Sequence, residues 1–447
     1  MRKVYFFIIA SMFSCCVFAQ YNWQALPNAP ISWRLDDCYF LNSRLGWAIS
    51  PYYDYLFPNK FGQICRTTDG GNTWQIQKDS SQTFFRSIGF ADSLTGWVGN
   101  LGDSYDSIPL YHTIDGVTTW LPVTNIPNPQ PGGICGISVV TDSVIYAYGR
   151  FYGPPILLKT IDKGNTWTSQ NMSLYARGLI DGYFFNKDTG FVTGSDSNYN
   201  ATIISTYDGG ITWQVRYLST RNDTDGVWKL SFPTRNIGYA SVEYWGSIYP
   251  HATHYLKTMD GGLTWNEYSF ISGYDLQGIG FINDTVGWIG GDFNYRTYKT
   301  TDGGTTWNPD FGFGVATPPY ASSTGYVMNR FRRFGDTLMY ASGNTVYKLD
   351  LTGTGINEMQ NENNSITNYP NPFSNETTIS YQLGESSKNV MLEIYSVLGE
   401  KIVEQNLGTQ NSGEHQFVYS TELPSGIYYC TISTEKNRAT QKIVVEK

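Results

Sequence analysis

The sequence TTDGGNTW, at residues 67–74, is one of six closely similar stretches in the first 307 residues of the chain. The other five read TIDGVTTW, TIDKGNTW, TYDGGITW, TMDGGLTW and TTDGGTTW. Successive aspartates of these stretches are separated by 46, 47, 46, 52 and 42 residues, and they are Asp69, Asp115, Asp162, Asp208, Asp260 and Asp302. A motif that recurs at such a spacing indicates one supersecondary unit, repeated so that neighbouring copies bury one another's apolar face.

Each copy of the motif is typical of a tight turn between two strands. In the pattern Thr-x-Asp-x-Gly-x-Thr-Trp, the Asp can accept hydrogen bonds from nearby backbone N–H groups, and the Gly can adopt a positive φ. The flanking Thr and Trp favour strands, and a Trp side chain is large enough to fill the space between neighbouring sheets. We therefore predict that the six aspartates are structural residues of the turns.

A second pattern, a hairpin ending in Gly and an aromatic residue, lies between the turns. Clear copies are IGFADSLTGWVG at residues 88–99 and IGFINDTVGWIG at residues 279–290. Seven such hairpins accompany only six Asp-containing turns. Trp23 is a seventh candidate for the Trp of the turn motif, and residues 344–350 resemble the strand that precedes it. The sequence therefore predicts a seven-bladed β-propeller over residues 20–350, in which the N-terminal strand completes the last blade and leaves no open sheet edge.

The composition changes after the propeller. All 13 Trp residues lie at or before Trp307, whereas Glu becomes frequent only after residue 350. Residues 351–367 are polar and without periodicity, which favours a linker. Residues 368–447 contain short alternating segments separated by turns, which predicts a small Ig-like β-sandwich. The predicted fold class is all-β, a seven-bladed β-propeller followed by this sandwich.

The N-terminus has the pattern of a secretory signal peptide over residues 1–19. Arg2 and Lys3 precede an apolar stretch, and Ala19 ends a small-residue cleavage site. The apolar stretch is too short to span a membrane, so no transmembrane segment is expected. Acylation of Cys15 as a lipoprotein is an alternative, although the residues before it fit a lipobox poorly.

Charge and metal-ligand spacing exclude further classes. The formal net charge of −8, with no basic cluster, argues against a nucleic-acid partner. Cys38 and Cys65 fall in one predicted blade, and an exported chain can form disulfides. Since Cys65 aligns with core positions of the other repeats, a buried free thiol is the simpler interpretation, and the pairing stays open. His251 and His254 lack a third ligand. We predict neither a metal site nor a cofactor.

The C-terminal module resembles the type A C-terminal sorting domain of the type IX secretion system of Bacteroidota. The residues that carry this resemblance are Asn368, Tyr369, Pro370, Asn371, Pro372, Phe373, Gly399, Pro424, Gly426 and Tyr428. The resemblance implies export through the Sec pathway, contact with the type IX secretion machinery, and a secreted or surface-attached protein from which the tail is usually removed. An independent Ig-like binding module is the alternative.

The propeller region resembles two groups of proteins. The turn motif is similar to the Asp-box, or BNR repeat, of sialidase-like β-propellers. Paired with the GW-x-x-G hairpins, it resembles the photosystem II stability/assembly factor family over residues 22–350. That resemblance implies a seven-bladed propeller that is not an enzyme and binds a partner.

Two functions compete on this evidence. The first is a secreted or cell-surface, non-catalytic propeller that binds a glycan or a protein. The second is a secreted glycoside hydrolase or lyase of sialidase-like propeller fold, which would need two carboxylates flanking the scissile bond. The sequence lacks the Arg-Ile-Pro motif of sialidases. Three or more acidic or Arg residues from outside the Asp-boxes, converging at the channel mouth, would favour the enzyme, whereas a flat aromatic rim without such a cluster would favour binding.

The loops opposite the Asp-box turns are long and each contains Tyr. Function concentrates in loops held by a rigid scaffold, and Tyr and Trp provide large contact areas for sugars or peptides. We therefore expect ligand contacts from Tyr53, Tyr55, Tyr105, Tyr152, Tyr199, Tyr244, Trp245 and Tyr295. The alternative is that these rings only order their own loops.

Overall fold

The computed structural model describes fifteen segments of the chain. They are residues 20–32, 34–50, 61–81, 83–102, 106–116, 118–246, 252–270, 275–292, 297–310, 312–313, 327–334, 338–352, 366–396, 401–434 and 438–446. The described residues contain strands and turns but no α-helix. They belong to two compact units, one ending at residue 352 and one comprising the C-terminal residues.

The first unit is built from short strands that follow one another along the chain. They are β1 (Gln20–Ala25), β2 (Asp37–Phe40), β3 (Gly46–Ser50), β4 (Phe61–Thr67), β5 (Gln75–Ser81), β6 (Phe85–Phe90), β7 (Gly96–Asn100), β8 (Leu110–Thr113), β9 (Leu121–Pro122), β10 (Gly136–Val139), β11 (Ile145–Tyr148), β12 (Ile156–Thr160), β13 (Thr168–Asn171), β14 (Gly178–Phe184), β15 (Gly190–Ser195), β16 (Ala201–Thr206), β17 (Gln214–Leu218), β18 (Asp225–Ser231), β19 (Gly238–Tyr244), β20 (His254–Thr258), β21 (Asn266–Ser269), β22 (Asp275–Phe281), β23 (Gly287–Asp292), β24 (Thr297–Thr300), β25 (Asn308–Asp310), β26 (Met328–Phe334), β27 (Leu338–Gly343) and β28 (Val346–Thr352).

These strands form seven antiparallel four-stranded sheets, the blades of a propeller. They are blade 1 (β2–β5), blade 2 (β6–β9), blade 3 (β10–β13), blade 4 (β14–β17), blade 5 (β18–β21), blade 6 (β22–β25) and blade 7 (β26–β28 with β1). The first strand of each blade contacts the first strand of the next, and β26 contacts β2, so the blades close into a ring. The predicted seven-bladed propeller is confirmed.

The N-terminal strand closes the ring, as the sequence predicts. Strand β1 pairs with β28 from Gln20, opposite Thr352, to Ala25, opposite Tyr347. Trp23 is 3% exposed and packs against Trp288, Phe313 and Phe331. Because the first and last strands of the propeller, β1 and β28, share one sheet, blade 7 has the same four-strand width as its neighbours and the ring has no gap.

The Asp-box turns are held by the carboxylate and by the Thr two residues before it. Asp69 Oδ1 accepts hydrogen bonds from Thr73 N (2.9 Å) and Thr67 Oγ1 (2.8 Å), and its Oδ2 accepts one from Thr73 Oγ1 (2.6 Å). These bonds, led by that from the Thr73 hydroxyl, lower the pKa of Asp69 to about 2. Gly70 and Gly71 have φ of +76° and +98°, a conformation that other residues rarely adopt. The box aspartates therefore have structural partners.

Each Asp-box turn also contacts the hairpin between the first two strands of its blade. Gly70 N donates to Arg44 O (2.8 Å), and Gly209 N donates to Asp188 O (2.9 Å). The boxes and these hairpins thus lie on one face of the propeller, which we call the box face. The loops between the second and third strands, and the connections between blades, lie on the opposite face, which we call the loop face.

The second unit is a sandwich of two sheets. Its strands are β29 (Ile366–Tyr369), β30 (Glu376–Leu383), β31 (Ser387–Ser396), β32 (Lys401–Gln410), β33 (Gly413–Ser420), β34 (Gly426–Ser433) and β35 (Arg438–Val445). One sheet has the order β29-β30-β33 and the other β32-β31-β34-β35. Buried side chains of both sheets form one core that includes Ile379, Leu392 and Ile443. This arrangement confirms the predicted small β-sandwich.

The motif around Pro372 attaches the segment before β30 to the last strand. Asn371 Oδ1 accepts a hydrogen bond from Val444 N (2.8 Å), and Asn371 Nδ2 donates to Lys442 O (3.0 Å). Phe373 is 4% exposed, and its backbone pairs with Val444 and Glu446. Tyr428 Oη donates to Pro424 O (3.0 Å). Gly399 lies outside the described residues.

The four cysteines within the described residues are buried free thiols: Cys38, Cys65, Cys135 and Cys430. Burial raises the pKa of Cys38 and Cys65 to about 12, so both thiols stay protonated near neutral pH. The sequence left a disulfide between Cys38 and Cys65 and buried free thiols as alternatives, and the structure has the free thiols.

We expect Thr206→Val to destabilise the propeller by about 1–3 kcal/mol, because the change leaves a turn N–H without its acceptor. Thr206 is 1% exposed, and its Oγ1 accepts from Gly210 N (2.7 Å) and donates to Asp208 Oδ1 (2.9 Å). Denaturant unfolding of the variant provides the measurement. The exposed Thr220→Val is the control and should change stability by less than about 0.5 kcal/mol. Equal effects of the two variants would contradict a role for the Thr hydroxyl.

Candidate ligand-binding site

Half of the predicted aromatic contacts lie on the described part of the loop face. Tyr152 lies between β11 and β12, Tyr199 lies between β15 and β16, and Tyr244 and Trp245 lie at and after the end of β19. Tyr152 and Tyr199 are each 39% exposed, whereas Tyr244 and Trp245 are half-buried. The other four predicted residues, Tyr53, Tyr55, Tyr105 and Tyr295, fall outside the described residues.

Two of the tyrosines are covered by arginine side chains. The guanidinium carbon of Arg150 lies 4.3 Å from the centroid of the Tyr152 ring, and that of Arg177 lies 4.0 Å from the Tyr199 ring. Arg150 Nη1 also donates to Tyr152 Oη (3.2 Å). Such cation–π contacts hold each ring in place. The two tyrosines are therefore ordered parts of a cationic and aromatic surface.

Trp245 belongs to an aromatic cluster that sequence reasoning captured only in part. Its ring centroid lies 6.0 Å from that of Trp228, at an interplanar angle of 74°. Phe151 lies 6.1 Å from Trp245 and 5.7 Å from Trp228, and it also packs edge-to-face on Tyr152 at 4.7 Å. We call these four residues, Phe151, Tyr152, Trp228 and Trp245, the aromatic cluster. It joins a loop of blade 3 to the inner strand of blade 5.

A buried ion network lies beside the aromatic cluster. Arg34 Nε donates to Asp36 Oδ1 (2.6 Å), and Arg86 donates to the same oxygen. The Arg86 guanidinium also lies 5.2 Å from the Trp228 ring centroid. Burial, reinforced by the charge of Arg34, lowers the pKa of Arg86 to about 10, so it remains charged at neutral pH. The site thus contains buried paired charges as well as aromatic rings.

Glu243 is the second carboxylate near the cluster. Its Oε1 accepts a hydrogen bond from Gln277 Nε2 (2.5 Å), and its Oε2 accepts one from Trp245 Nε1 (3.0 Å). Glu243 is 7% exposed. These bonds orient the Trp245 ring and the carboxylate together, so Glu243 has a positioning role for the aromatic cluster.

The central channel between the two faces contains further buried ion pairs. Arg330 Nη1 and Nη2 donate to the two carboxylate oxygens of Asp181, both at 2.9 Å. Arg332 donates to both oxygens of Asp37, one at 3.0 Å and one at 2.5 Å. Burial raises the pKa of Asp181, but the charges of Arg330 and Lys229 outweigh that effect and hold it below its ordinary value. The inner wall is charged and closely paired.

By the criteria set from the sequence, the arrangement favours an enzyme. Four acidic or Arg residues from outside the Asp-boxes, Arg34, Asp36, Arg86 and Glu243, converge beside the aromatic cluster, so the rings do not form a rim without such residues. Both carboxylates already have partners. Asp36 forms ion pairs with Arg34 and Arg86, and Glu243 accepts hydrogen bonds from Gln277 and Trp245.

Three residues of the site, Trp228, Arg86 and Phe151, escaped sequence reasoning. Trp228 lies at a register shift of β18 between Val227 and Lys229, and Arg86 lies at one of β6 between Phe85 and Ser87. Such bulges change which side chains face the channel, and the alternation of the sequence carries no signal for them. Phe151 was overlooked beside Tyr152, although an aromatic pair in a long loop is a signal that could have found it.

The two histidines considered from the sequence differ in whether the structure describes them. His254 is 8% exposed and its Nε2 lies 3.7 Å from Glu267 Oε1, while His251 is outside the described residues. No group of three His, Cys, Asp or Glu side chains there is arranged to bind a metal ion. Within the same segments, no helix is long and apolar enough to cross a membrane.

Comparison with solved structures finds the same propeller fold. YCF48 from Cyanidioschyzon merolae is 15% identical, covering 73% of this chain and 98% of that chain, with a TM-score of 0.52. A structure described as YCF48 bound to D1 peptide is 16% identical over 73% of this chain and 96% of that chain, with a TM-score of 0.53. An ancestral GH74 enzyme is 13% identical over 95% of this chain and 63% of that chain, with a TM-score of 0.52.

These likenesses establish the β-propeller fold and do not decide catalysis, since the similar structures include both an enzyme and a peptide-bound protein. No curated protein matches the sequence. Residues 367–446 match the secretion system C-terminal sorting domain family. The C-terminal module is therefore a type IX sorting domain, and it directs the protein to the cell surface or the exterior. The signal peptide at residues 1–19 lies outside the described residues and stays a prediction.

We expect Asp181→Asn to destabilise the protein by about 3–5 kcal/mol, because the change leaves the buried Arg330 without its bidentate carboxylate. Asp188 forms an exposed ion pair with Lys187 and supplies the control: Asp188→Asn should lower the stability by less than about 1 kcal/mol. Since the folded-state pKa of Asp181 is lowered, its stabilisation is present above its unfolded pKa of about 4 and is lost at lower pH. Denaturant unfolding at pH 7 and pH 3 should show the difference between wild type and Asp181→Asn shrinking in acid.

Proposed function

We propose that this secreted propeller is a non-catalytic binding protein, which holds a glycan or a protein partner against the loop face. The observation that carries the proposal is the aromatic cluster of Phe151, Tyr152, Trp228 and Trp245. Type IX export places the loop face where it meets polysaccharides and surface proteins.

The geometry of the cluster suits a contact surface. Phe151 and Trp245 are half-buried and Tyr152 is exposed, so their outer surfaces are free to contact a ligand. Trp228 is 3% exposed and supports the other rings from the inner strand. Rings held rigidly by hydrogen bonds and cation–π contacts lose little entropy on binding. Arg150 adds positive charge at the edge of the same surface.

The hydrolase alternative has weaker support. A glycosidase requires one carboxyl group that can donate a proton and a second carboxylate that acts as nucleophile or base. Asp36 and Glu243 are the carboxylates beside the aromatic cluster, and both are fixed in the ion pairs and hydrogen bonds of the resting protein. The solved structure of YCF48 bound to D1 peptide is an example of a propeller of this fold with a peptide ligand, which supports a protein as the partner.

We expect Trp245→Ala to weaken ligand binding at least about tenfold, because loss of one anchoring aromatic residue typically costs about 2 kcal/mol. Retention of the purified protein on a panel of insoluble polysaccharides, and on extracts of surface proteins, identifies the ligand on which this is measured. Tyr268 is 42% exposed on the outer strand β21, so Tyr268→Ala is the matched control and should bind normally. Normal binding by Trp245→Ala, with an unchanged melting temperature, would place the ligand elsewhere.

The same panel tests the hydrolase alternative through release of soluble products. Retention without product supports the binding function. Release of oligosaccharides that stops in Glu243→Gln or Asp36→Asn would replace it with catalysis, because both substitutions keep the shape of the side chain and remove its charge.

A further inference from the structure

Two tyrosine–arginine pairs of similar geometry lie on neighbouring blades of the loop face. In blade 3, the guanidinium carbon of Arg150 lies 4.3 Å from the centroid of the Tyr152 ring. In blade 4, that of Arg177 lies 4.0 Å from the Tyr199 ring. Both rings are 39% exposed. The same arrangement thus occurs twice, which binding of an unspecified ligand does not require.

The two pairs are in contact through their backbones. Arg150 O accepts hydrogen bonds from Gly153 N (2.9 Å), within its own loop, and from Leu179 N (3.3 Å), in β14 of the next blade. A side chain at Gly153 would place its Cβ only 2.8 Å from Arg177 O. The pairs therefore form one continuous surface with the aromatic cluster, to which Tyr152 belongs.

The backbone of Tyr199 has an uncommon conformation. Its φ is +64°, in the left-handed region that an aromatic residue seldom adopts. Tyr199 N donates to Asp196 O (3.1 Å), and Asp196 Oδ1 accepts hydrogen bonds from the N–H groups of Asn198 and Asn200, both at 2.8 Å. Glycine or asparagine would adopt this backbone at a lower cost, so a tyrosine here indicates that the ring itself is needed.

Both guanidinium groups keep N–H groups that the protein does not use. Arg150 Nη1 donates to Gly102 O (2.7 Å) and to Tyr152 Oη (3.2 Å), and its Nε donates to a carbonyl of its own loop (2.6 Å). Within the described segments, Nη2 of Arg150 and all three guanidinium nitrogens of Arg177 have no acceptor. Both side chains are partly exposed, so these N–H groups can reach a ligand.

The carboxylates around the two pairs do not neutralise them. Asp225, whose N–H donates to Tyr199 O (2.7 Å), forms its ion pair with Arg221. No carboxylate in the described part of the chain forms an ion pair with Arg150 or Arg177. The chain as a whole has a formal net charge of −8, so this positive surface departs from the overall balance. Guanidinium groups in this state bind carboxylates, often through two parallel hydrogen bonds.

Given the binding function proposed for the loop face, on which this inference rests, we propose that the ligand is an acidic polysaccharide with a carboxylate on successive sugar rings. Tyr152 and Tyr199 stack on two of its rings, and Arg150 and Arg177 bind their carboxylates. The repetition favours a polyuronate over an acidic peptide. A polyuronate presents a ring and a carboxylate together in every unit, whereas an acidic peptide carries its carboxylates on flexible side chains without such rings.

The experiment titrates the purified full chain with polygalacturonate and with alginate, in a calorimeter at low ionic strength. Methyl-esterified polygalacturonate is the control, because it keeps the sugar backbone and lacks the charge. Poly-L-glutamate keeps the charge and lacks the rings. At least one of the two polyuronates should bind at least about tenfold more tightly than either control polymer, since a hydrogen bond to a charged group contributes about 1.4 kcal/mol or more. Salt at about 0.5 M should weaken the binding.

Two variants locate the site. Arg177→Gln removes a guanidinium without a hydrogen bond to the described residues, and it should weaken binding at least about fivefold. Tyr199→Asn removes the ring and tolerates the positive φ, so the loop keeps its conformation and binding should weaken similarly. Arg216 lies 5.3 Å from the Tyr207 ring centroid on the box face of the same blade. Arg216→Gln is therefore the matched control and should bind like the wild type.

The outcomes separate this inference from the proposed function. Binding to neither polyuronate, equal binding of the methyl ester or of poly-L-glutamate, or wild-type affinity in both Arg177→Gln and Tyr199→Asn would each overturn the acidic polysaccharide. A different ligand that the wild type retains and Trp245→Ala loses would still support binding at the loop face. The two failures can therefore be recognised independently.

Discussion

Closure of the ring is the constraint on which the rest of this structure depends. Strand β1 pairs with β28, so the seventh sheet reaches the width of the other six, and β26 comes into contact with β2. Only then do seven inner strands face one another across a channel. Side chains on those strands lose most of their water, and a charge placed there needs a partner. The bidentate pairs of Arg330 with Asp181 and of Arg332 with Asp37 join blade 7 to blades 4 and 1 across that channel. Ring closure and the buried ion network therefore support each other.

The two faces of the ring differ because their turns obey different requirements. On the box face, the carboxylate and threonine of each Asp-box occupy the backbone N–H groups of the turn, and glycine N–H groups bind the neighbouring hairpin. That chemistry allows little variation. Loops on the opposite face have no such motif, and they differ in length and sequence between blades. The aromatic cluster on this face contains residues of blades 3 and 5. A repeated scaffold with one constrained face and one variable face is well suited to a binding protein.

Sequence reasoning identified part of the candidate site on the loop face. It identified Tyr152 and Trp245, because tyrosine-rich loops opposite the boxes are visible as interruptions of the repeat. It missed Trp228 and Arg86, since each lies at a register shift, of β18 and of β6, where the alternation of inward and outward residues changes. It could not bring Asp36, Arg86 and Glu243 together, because residues 36, 86 and 243 become neighbours only when blades 1, 2 and 5 surround one channel. Distances across a ring have no counterpart in local sequence patterns.

The sequence by itself determined the number of blades, the structural role of the Asp-box residues, the participation of the N-terminal strand and the sorting module. Each of these follows from short-range chemistry, such as a turn that needs Asp and Gly, or a strand that needs alternation, repeated often enough to be counted. Tertiary structure alone decided which charges are paired and which rings meet. Those properties arise where the inner strands of several blades converge. Because side chains there are buried, a shift of one residue in strand register decides which partner a side chain meets.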